Sequence, residues 1–149
     1  RQVTDKLYWV NLPQGQFPFL AFVEHTNYQS PEHYGGDHIF YLGDYPAPDE
    51  PHWSASKEQL LEEFLPHLVK FNPRFDPSWI RRSWLFREEY AQPVPPVNHS
   101  QHIPAVKTPI AGLYLASMSQ VYPWDRGTNY SVEMGQKVAQ MLMANQVKA

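Results

Sequence analysis

"FPFLAFVEH", Phe17 to His25, decides how the first half of this sequence is read. Its aromatic and Val content predicts a β-strand over Phe19–His25. Similar patterns lie on both sides. Upstream, "LYWVNL" (Leu7 to Leu12) is a short apolar run that stops at Pro13, so a strand is expected over Leu7–Asn11. Downstream, the turn signal Gly35-Gly36-Asp37 leads into "HIFYLGDY" (His38 to Tyr45), which predicts a strand over His38–Asp44.

Pro46, Pro48 and Pro51 then mark a loop. Ser56 followed by Gln59 has the spacing of a capping box, in which each side chain satisfies the other's backbone amide. Leu60, Leu61, Phe64, Leu65 and Leu68 repeat at helical spacing, so a helix is expected over Lys57–Phe71. Pro66 removes a backbone donor and should kink it, and Asn72-Pro73 ends it. In "SWLFREEYAQ" (Ser83 to Gln92), Trp84, Phe86, Glu88 and Tyr90 share one face if the chain is extended, predicting a strand over Ser83–Tyr90. Five prolines between Pro93 and Pro109 permit neither helix nor central strand. "AGLYLASM" (Ala111 to Met118) reads as a short buried strand. "YPWDRGTNYSVEMGQKVAQML" (Tyr122 to Leu142) reads as an abrupt turn feeding a helix over Thr128–Gln146. The expected fold class is α+β: a mixed or antiparallel sheet with two main helices.

The totals exclude several function classes. The chain has 149 residues, enough for one domain with a real core, and is 42% hydrophobic and 15% aromatic. Net charge is −3 and no basic run exceeds Arg81-Arg82, which argues against nucleic acid or an anionic membrane as partner. No apolar run approaches the length of a transmembrane segment. The absence of cysteine removes disulfides, a thiol nucleophile and Cys-ligated metal, and fits a reducing, cytoplasmic setting. Fifteen prolines are about twice the usual share. The sequence opens on Arg1, not methionine, directly into a strand-like pattern, and reads as a piece of a longer polypeptide.

Seven histidines raise the question of a metal. The candidate pairs are His33/His38 and His99/His102, with Glu32, Asp37 and Asp44 nearby. They flank turns and loops, and no H-E-x-x-H pair sits on a helix, so no metal is expected. Ser117 and Ser119 follow a strand-like run but lack the glycines of a nucleophile elbow. Tyr8, Trp9, Phe17, Phe19, Phe22, Tyr28, Phe40 and Tyr41 crowd the first strands. Each is expected in the core, and together they could wall an apolar substrate cavity.

The closing segment carries the sharpest signal. Gly127 permits a tight approach and a φ above zero, while Thr128 or Asn129 is placed to cap the helix. Val132, Gly135, Val138, Ala139 and Leu142 form one smooth stripe along it. The first helical turn leaves backbone N–H groups free at the positive end of the helix dipole, which suits a phosphate or a ring that becomes negative on reduction. An ordinary capped terminal helix would show the same features.

Those residues carry a resemblance. "TPIAGLYLASMSQVYPWDRGTNYSVEMGQKVAQML" (Thr108 to Leu142) resembles the C-terminal flavin-binding segment of the FAD-dependent amine oxidase, protoporphyrinogen oxidase and phytoene desaturase superfamily. "PFLAFVEHTNYQSPEHYGGDHIFYLGDY" and "FREEYAQPVPP" are similar to the substrate-domain half of such flavoproteins. The resemblance implies a fragment of a two-domain FAD-linked oxidoreductase fold. Residues 1–109 would be part of a substrate-binding domain. Residues 110–149 would form a strand, elbow and helix that complete an FAD-binding domain.

Where the family strand ends in Gly-Asp near the FAD phosphate and ribityl, this chain has Ser117 and Met118. Tyr122 to Gly127 match the segment that crosses the flavin. Thr128, Asn129, Tyr130 and Ser131 match the helix start at its pyrimidine edge, with Tyr130-Ser131 where the family has Gly-Ala. The implied cofactor contacts are therefore Ser117, Met118, Asp125, Arg126, Gly127, Thr128, Asn129 and Tyr130. The G-x-G-x-x-G turn that holds the FAD pyrophosphate falls nowhere among the seven glycines.

The implied function is that of a C-terminal portion of an FAD-dependent oxidoreductase, oxidising a C–N or C–C bond by hydride transfer to flavin and inactive by itself. Its implied partners are the missing N-terminal FAD-binding half and an apolar or aromatic small-molecule substrate. No catalytic residue is implied. The alternatives are a non-catalytic small-molecule binding module and a flavin-dependent isomerase or mutase.

Overall fold

The stretch around Phe17–His25 supplies the middle strand of a three-stranded antiparallel sheet in the structure of the chain, a computed structural model that describes residues 1–124 and 126–146. The strands are β1 (Trp9–Asn11), β2 (Ala21–Glu24) and β3 (Phe40–Gly43), in that spatial order. The register pairs Val10 with Phe22 and Phe22 with Leu42, and likewise Trp9 with Val23 and Val23 with Tyr41. Because side chains alternate along a strand, these two rows face opposite ways. Val10, Phe22 and Leu42 face the core, while Trp9, Val23 and Tyr41 line the outer face.

All three expected strands exist, trimmed at their ends. Backbone bonds from Leu12 to Leu20, Leu20 to Gly43 and Glu24 to Tyr8 continue the pairing past the regular strands. Gly35 and Gly36 have φ of +65° and +83°, a left-handed conformation that glycine enters without strain, and so the Gly-Gly-Asp signal is a true turn.

Two short helices follow. α1 (Pro51–Ser54) is a single turn, and α2 (Lys57–Phe64) begins with the expected capping box. The Gln59 amide donates to Ser56 Oγ at 3.2 Å, and the Ser56 amide donates to Gln59 Oε1 at 2.8 Å. The α-helix expected to Phe71 stops at Phe64, and Leu65–Lys70 continues as a 3₁₀ helix. Pro66 is the cause: it has no amide for the fourth-residue bond and its ring crowds the preceding turn. The tighter coil still buries Leu65 and Leu68, which join Val3, Phe19, Phe22, Phe64 and Phe75 in one core. Burying a side chain such as Phe22 stabilises the fold by about 1.5–3 kcal/mol.

The chain divides into two compact units, Arg1–Arg87 and the part from Glu88 onward. The sheet, α1, α2 and the core belong to the first. The second contains α3 (Thr128–Gln146), where the sequence places it, and short 3₁₀ turns at His99–Gln101 and Met118–Gln120.

Two expected strands do not form. Ser83–Tyr90 makes no ladder among the described residues, and Trp84, Phe86 and Tyr90 are exposed. An alternating pattern is equally compatible with extended coil, and only an available edge would turn it into a strand. Ala111–Met118 is not a buried strand either. Gly112, at φ +80°, sits in a turn that returns the chain on itself through one bridge, Lys107 to Tyr114. Thr108 Oγ1 donates to the Leu113 carbonyl at 2.9 Å and fixes that turn, which leaves Leu113 and Leu115 exposed.

Candidate functional site

α3 starts at Gly127, whose carbonyl accepts from the amides of Tyr130 at 3.1 Å and Ser131 at 3.2 Å. Gly127, not Thr128 or Asn129, is thus the residue before the helix. Thr128 and Asn129 lie inside the first turn, where their amides meet no acceptor among the described residues. Gly127 does not take the left-handed φ expected of it. A β-carbon there would come within 2.5 Å of the Asn129 Oδ1, the movable end of a side chain.

The expected stripe along α3 is also rotated. Of its members only Val138 is half-buried, whereas Val132, Gly135, Ala139 and Leu142 are exposed. The covered positions are Tyr130, Met134, Val138 and Met141. Helical spacing offers several overlapping stripes, and the neighbouring chain selects among them.

Ser117 and Met118 are occupied locally. Ser117 caps the turn Met118–Gln120 in a second capping box, its own amide donating to Gln120 Oε1 at 2.8 Å. The Ser117-to-Gln120 spacing is the same signal as Ser56 to Gln59, and it could have been read from the sequence. Met118 Sδ accepts from Ser131 Oγ at 2.9 Å, joining this turn to the first turn of α3. Arg126 lines a recess of about 30 Å³ with Pro93, His99, Met118 and Trp124, space for a water but not for an organic ligand. Asp125 lies outside the described residues. Thus Ser117, Met118 and the start of α3 do come together, with Ser131 as the link.

The eight rings that crowd the first strands divide by chemistry. Phe19 and Phe22 are buried, and Phe17 and Phe40 pack against the core. Tyr8, Trp9, Tyr28 and Tyr41 stay between 39% and 67% exposed. Each of these four carries a polar handle that burial would have to satisfy. Tyr8 lies against Tyr28 with ring centres 5.0 Å apart, and Trp9 Nε1 donates to Asn11 Oδ1 at 2.8 Å. Tyr41 meets His25 edge to face, and His25 Nε2 is 2.5 Å from the Tyr34 hydroxyl.

Two carboxylate arrangements were not anticipated. Glu24 is fully buried, and its oxygens accept from the Val3 amide at 2.7 Å, the Thr4 amide at 2.6 Å and Thr4 Oγ1 at 2.7 Å. It shares the inward face of β2 with Phe22, two residues away, which was the available signal. His52 lies between two acids, with Nδ1 3.0 Å from Asp44 Oδ2 and Nε2 3.1 Å from Glu63 Oε1. The hydrogen bond to Asp44, helped by Glu63 and opposed by partial burial, holds His52 above the usual histidine range. Among the described residues, no group of three or more His, Asp or Glu side chains is arranged to hold a metal, and no helix is long and apolar enough to cross a membrane.

A wider recess of about 610 Å³ is lined by Arg1, Asp5, Asn72, Arg74, Asp76 and Trp79. Its two arginines and two aspartates balance, and the Asp76 carboxyl is kept low by the Ser78 side chain and amide. Comparison with family models, curated proteins and solved structures finds no match to this chain.

Proposed function

We propose that this chain is the C-terminal portion of an FAD-dependent oxidoreductase, with residues 1–109 contributing to a substrate domain and residues 110–149 closing the cofactor site. The observation that carries the reading is that not one described residue from Glu88 onward is buried. Apolar side chains that elsewhere would form a core, such as Leu113, Trp124, Val132 and Met143, lie open. A segment with helix, caps and turns but no interior is what the closing wall of a larger site looks like in isolation.

The fit to FAD is good at the helix and poor before it. The amides of Thr128 and Asn129, which meet no acceptor among the described residues, are backbone donors at the positive end of α3, suited to an anionic ring edge or a phosphate. By contrast, the Ser117 and Met118 side chains are already engaged within the unit. When bound, FAD would supply the acceptor for a hydride from a C–N or C–C bond. The chain's own contribution would be electrostatic: the helix amides hold negative charge, worth about 0.3–1 kcal/mol at an exposed helix end and roughly 2 when partly buried. That tunes a cofactor and does not drive the reaction. The exposed Tyr8, Trp9, Tyr28 and Tyr41 favour a second reading, a flavin-free module that binds a flat ligand on the sheet's outer face.

The test uses the complete reading frame that contains this chain. It should purify with a flavin spectrum, whereas the 149-residue chain should retain none through gel filtration. Gly127→Val should lower FAD occupancy or shift the reduction potential, with His33→Ala as an inert control. A folded Gly127→Val protein with unchanged flavin content and potential would overturn the assignment. Retained flavin in the isolated chain would contradict the need for a second half.

A further inference from the structure

Imidazole has two ring nitrogens, and only the protonated ring donates from both. His52 presents both to carboxylates: Asp44, from the loop after β3, and Glu63, from α2. If the ring were neutral, one nitrogen would turn a lone pair toward a carboxylate oxygen and that contact would be repulsive. The arrangement therefore favours the imidazolium. The edge of His52 rests on the Phe64 ring, with centres 5.2 Å apart, so the group is seated and not merely near its partners. Arg87 is the third charged group at this place, and its guanidinium donates to the backbone carbonyls of His52 at 3.0 Å and Ala55 at 2.7 Å. The one-turn helix α1 is thus held from three directions, by β3's loop, by α2 and by the residue at which the first unit ends.

We propose that His52 is a proton-operated latch, fixing α1 between Asp44, Glu63 and Arg87 when the imidazole is charged and loosening it when the proton leaves. The sign follows from the direction of the shift. A histidine held above its ordinary value contributes its full stabilisation below that ordinary value, about 6.5, and loses it as pH climbs through the raised one. The window therefore opens on the neutral-to-alkaline side. Because a four-residue helix has almost no stability of its own, α1 should report the loss while α2, with its capping box, should not.

Amide hydrogen exchange on the 149-residue chain reads this directly. The reporters are Trp53 and Ala55, whose amides bond to the Glu50 and Pro51 carbonyls, and the Leu60 amide of α2 is the reference. After correction for intrinsic rates, protection of Trp53 and Ala55 relative to Leu60 should fall about threefold between about pH 6 and about pH 8, the scale of a partly exposed ion pair. Glu63→Gln should weaken that response and lower the midpoint of the His52 ring titration, with Asp44 still in place. Its side chain is half exposed, so the variant should fold even if His52→Gln does not. Equal protection at both pH values in the unmodified chain would overturn the latch, as would an undiminished pH response in Glu63→Gln.

Discussion

The two units of this chain use the same vocabulary to different effect. Up to Arg87, turn glycines, a capping box and strands converge on one apolar interior, and every buried residue among those described lies in this unit. From Glu88 onward there is again a capping box, a glycine turn and a nineteen-residue helix, yet no residue whose burial is described is buried as a whole. Local signals are satisfied equally well in both. What separates them is whether apolar faces meet, and hydrophobic burial, not capping, is the dominant stabilising term. Local structure can be complete where tertiary structure is not.

The comparison can be broken by core truncation. Leu68→Ala in the first unit removes a fully buried side chain and should destabilise it by about 2–5 kcal/mol, read from urea unfolding. Val138→Ala, on the best-covered face of α3, should cost under about 1 kcal/mol because that face is only half-buried. Comparable losses at the two sites would mean that the second unit has an interior after all.

A sharper probe of the first unit is Glu24→Gln. The amide keeps the shape of the carboxylate but replaces one acceptor with a donor facing the amides of Val3 and Thr4. Whichever way the amide turns, either the Val3 amide or the Thr4 amide is left without an acceptor, which should cost about 1–3 kcal/mol, and the loss should appear in the same unfolding curve. The smallest effect should come from Ser56→Ala, about 1 kcal/mol, felt as fraying at the start of α2 and visible as lost protection of the Gln59 amide. If Ser56→Ala cost as much as Leu68→Ala, capping would matter more than burial and the contrast between the units would be mistaken.

How much of this could be read in advance follows the same line. The three strands were legible because Leu7–Asn11, Phe19–His25 and His38–Asp44 are short runs rich in apolar and aromatic residues, with Pro13 and the Gly35-Gly36 turn as punctuation. The start of α2 was legible from Ser56 and Gln59, but its end was not: Pro66 reads as a kink in a helix running to Phe71, whereas it ends the α-helix at Phe64 and leaves a 3₁₀ coil behind it. Ser83–Tyr90 and Ala111–Met118 were misread because pairing requires a partner strand, and a partner's position is not written in the segment itself. The covered face of α3 failed for a related reason: Tyr130, Met134, Val138 and Met141 are one of several acceptable stripes. The fate of the aromatics was half-visible, since Tyr and Trp carry the hydroxyl or indole N–H that Phe lacks. The pairing of His52 with Asp44 and Glu63 left no local signature, because its members lie eight and eleven residues apart on three different segments.

Glu24 has a last consequence. The chain has no cysteine, yet its N-terminal segment is fastened to β2 by three hydrogen bonds to one carboxylate, across a span of twenty residues from Thr4. A disulfide in that position would act largely by shortening the wanderings of the unfolded chain. A carboxylate gripping two amides and a hydroxyl exists only once the chain is folded, so it leaves the unfolded ensemble untouched and offers nothing for a reductant to cut. Its vulnerability is water. Any opening that wets the underside of β2 supplies competing donors, so the fastening should fail together with the core and never ahead of it.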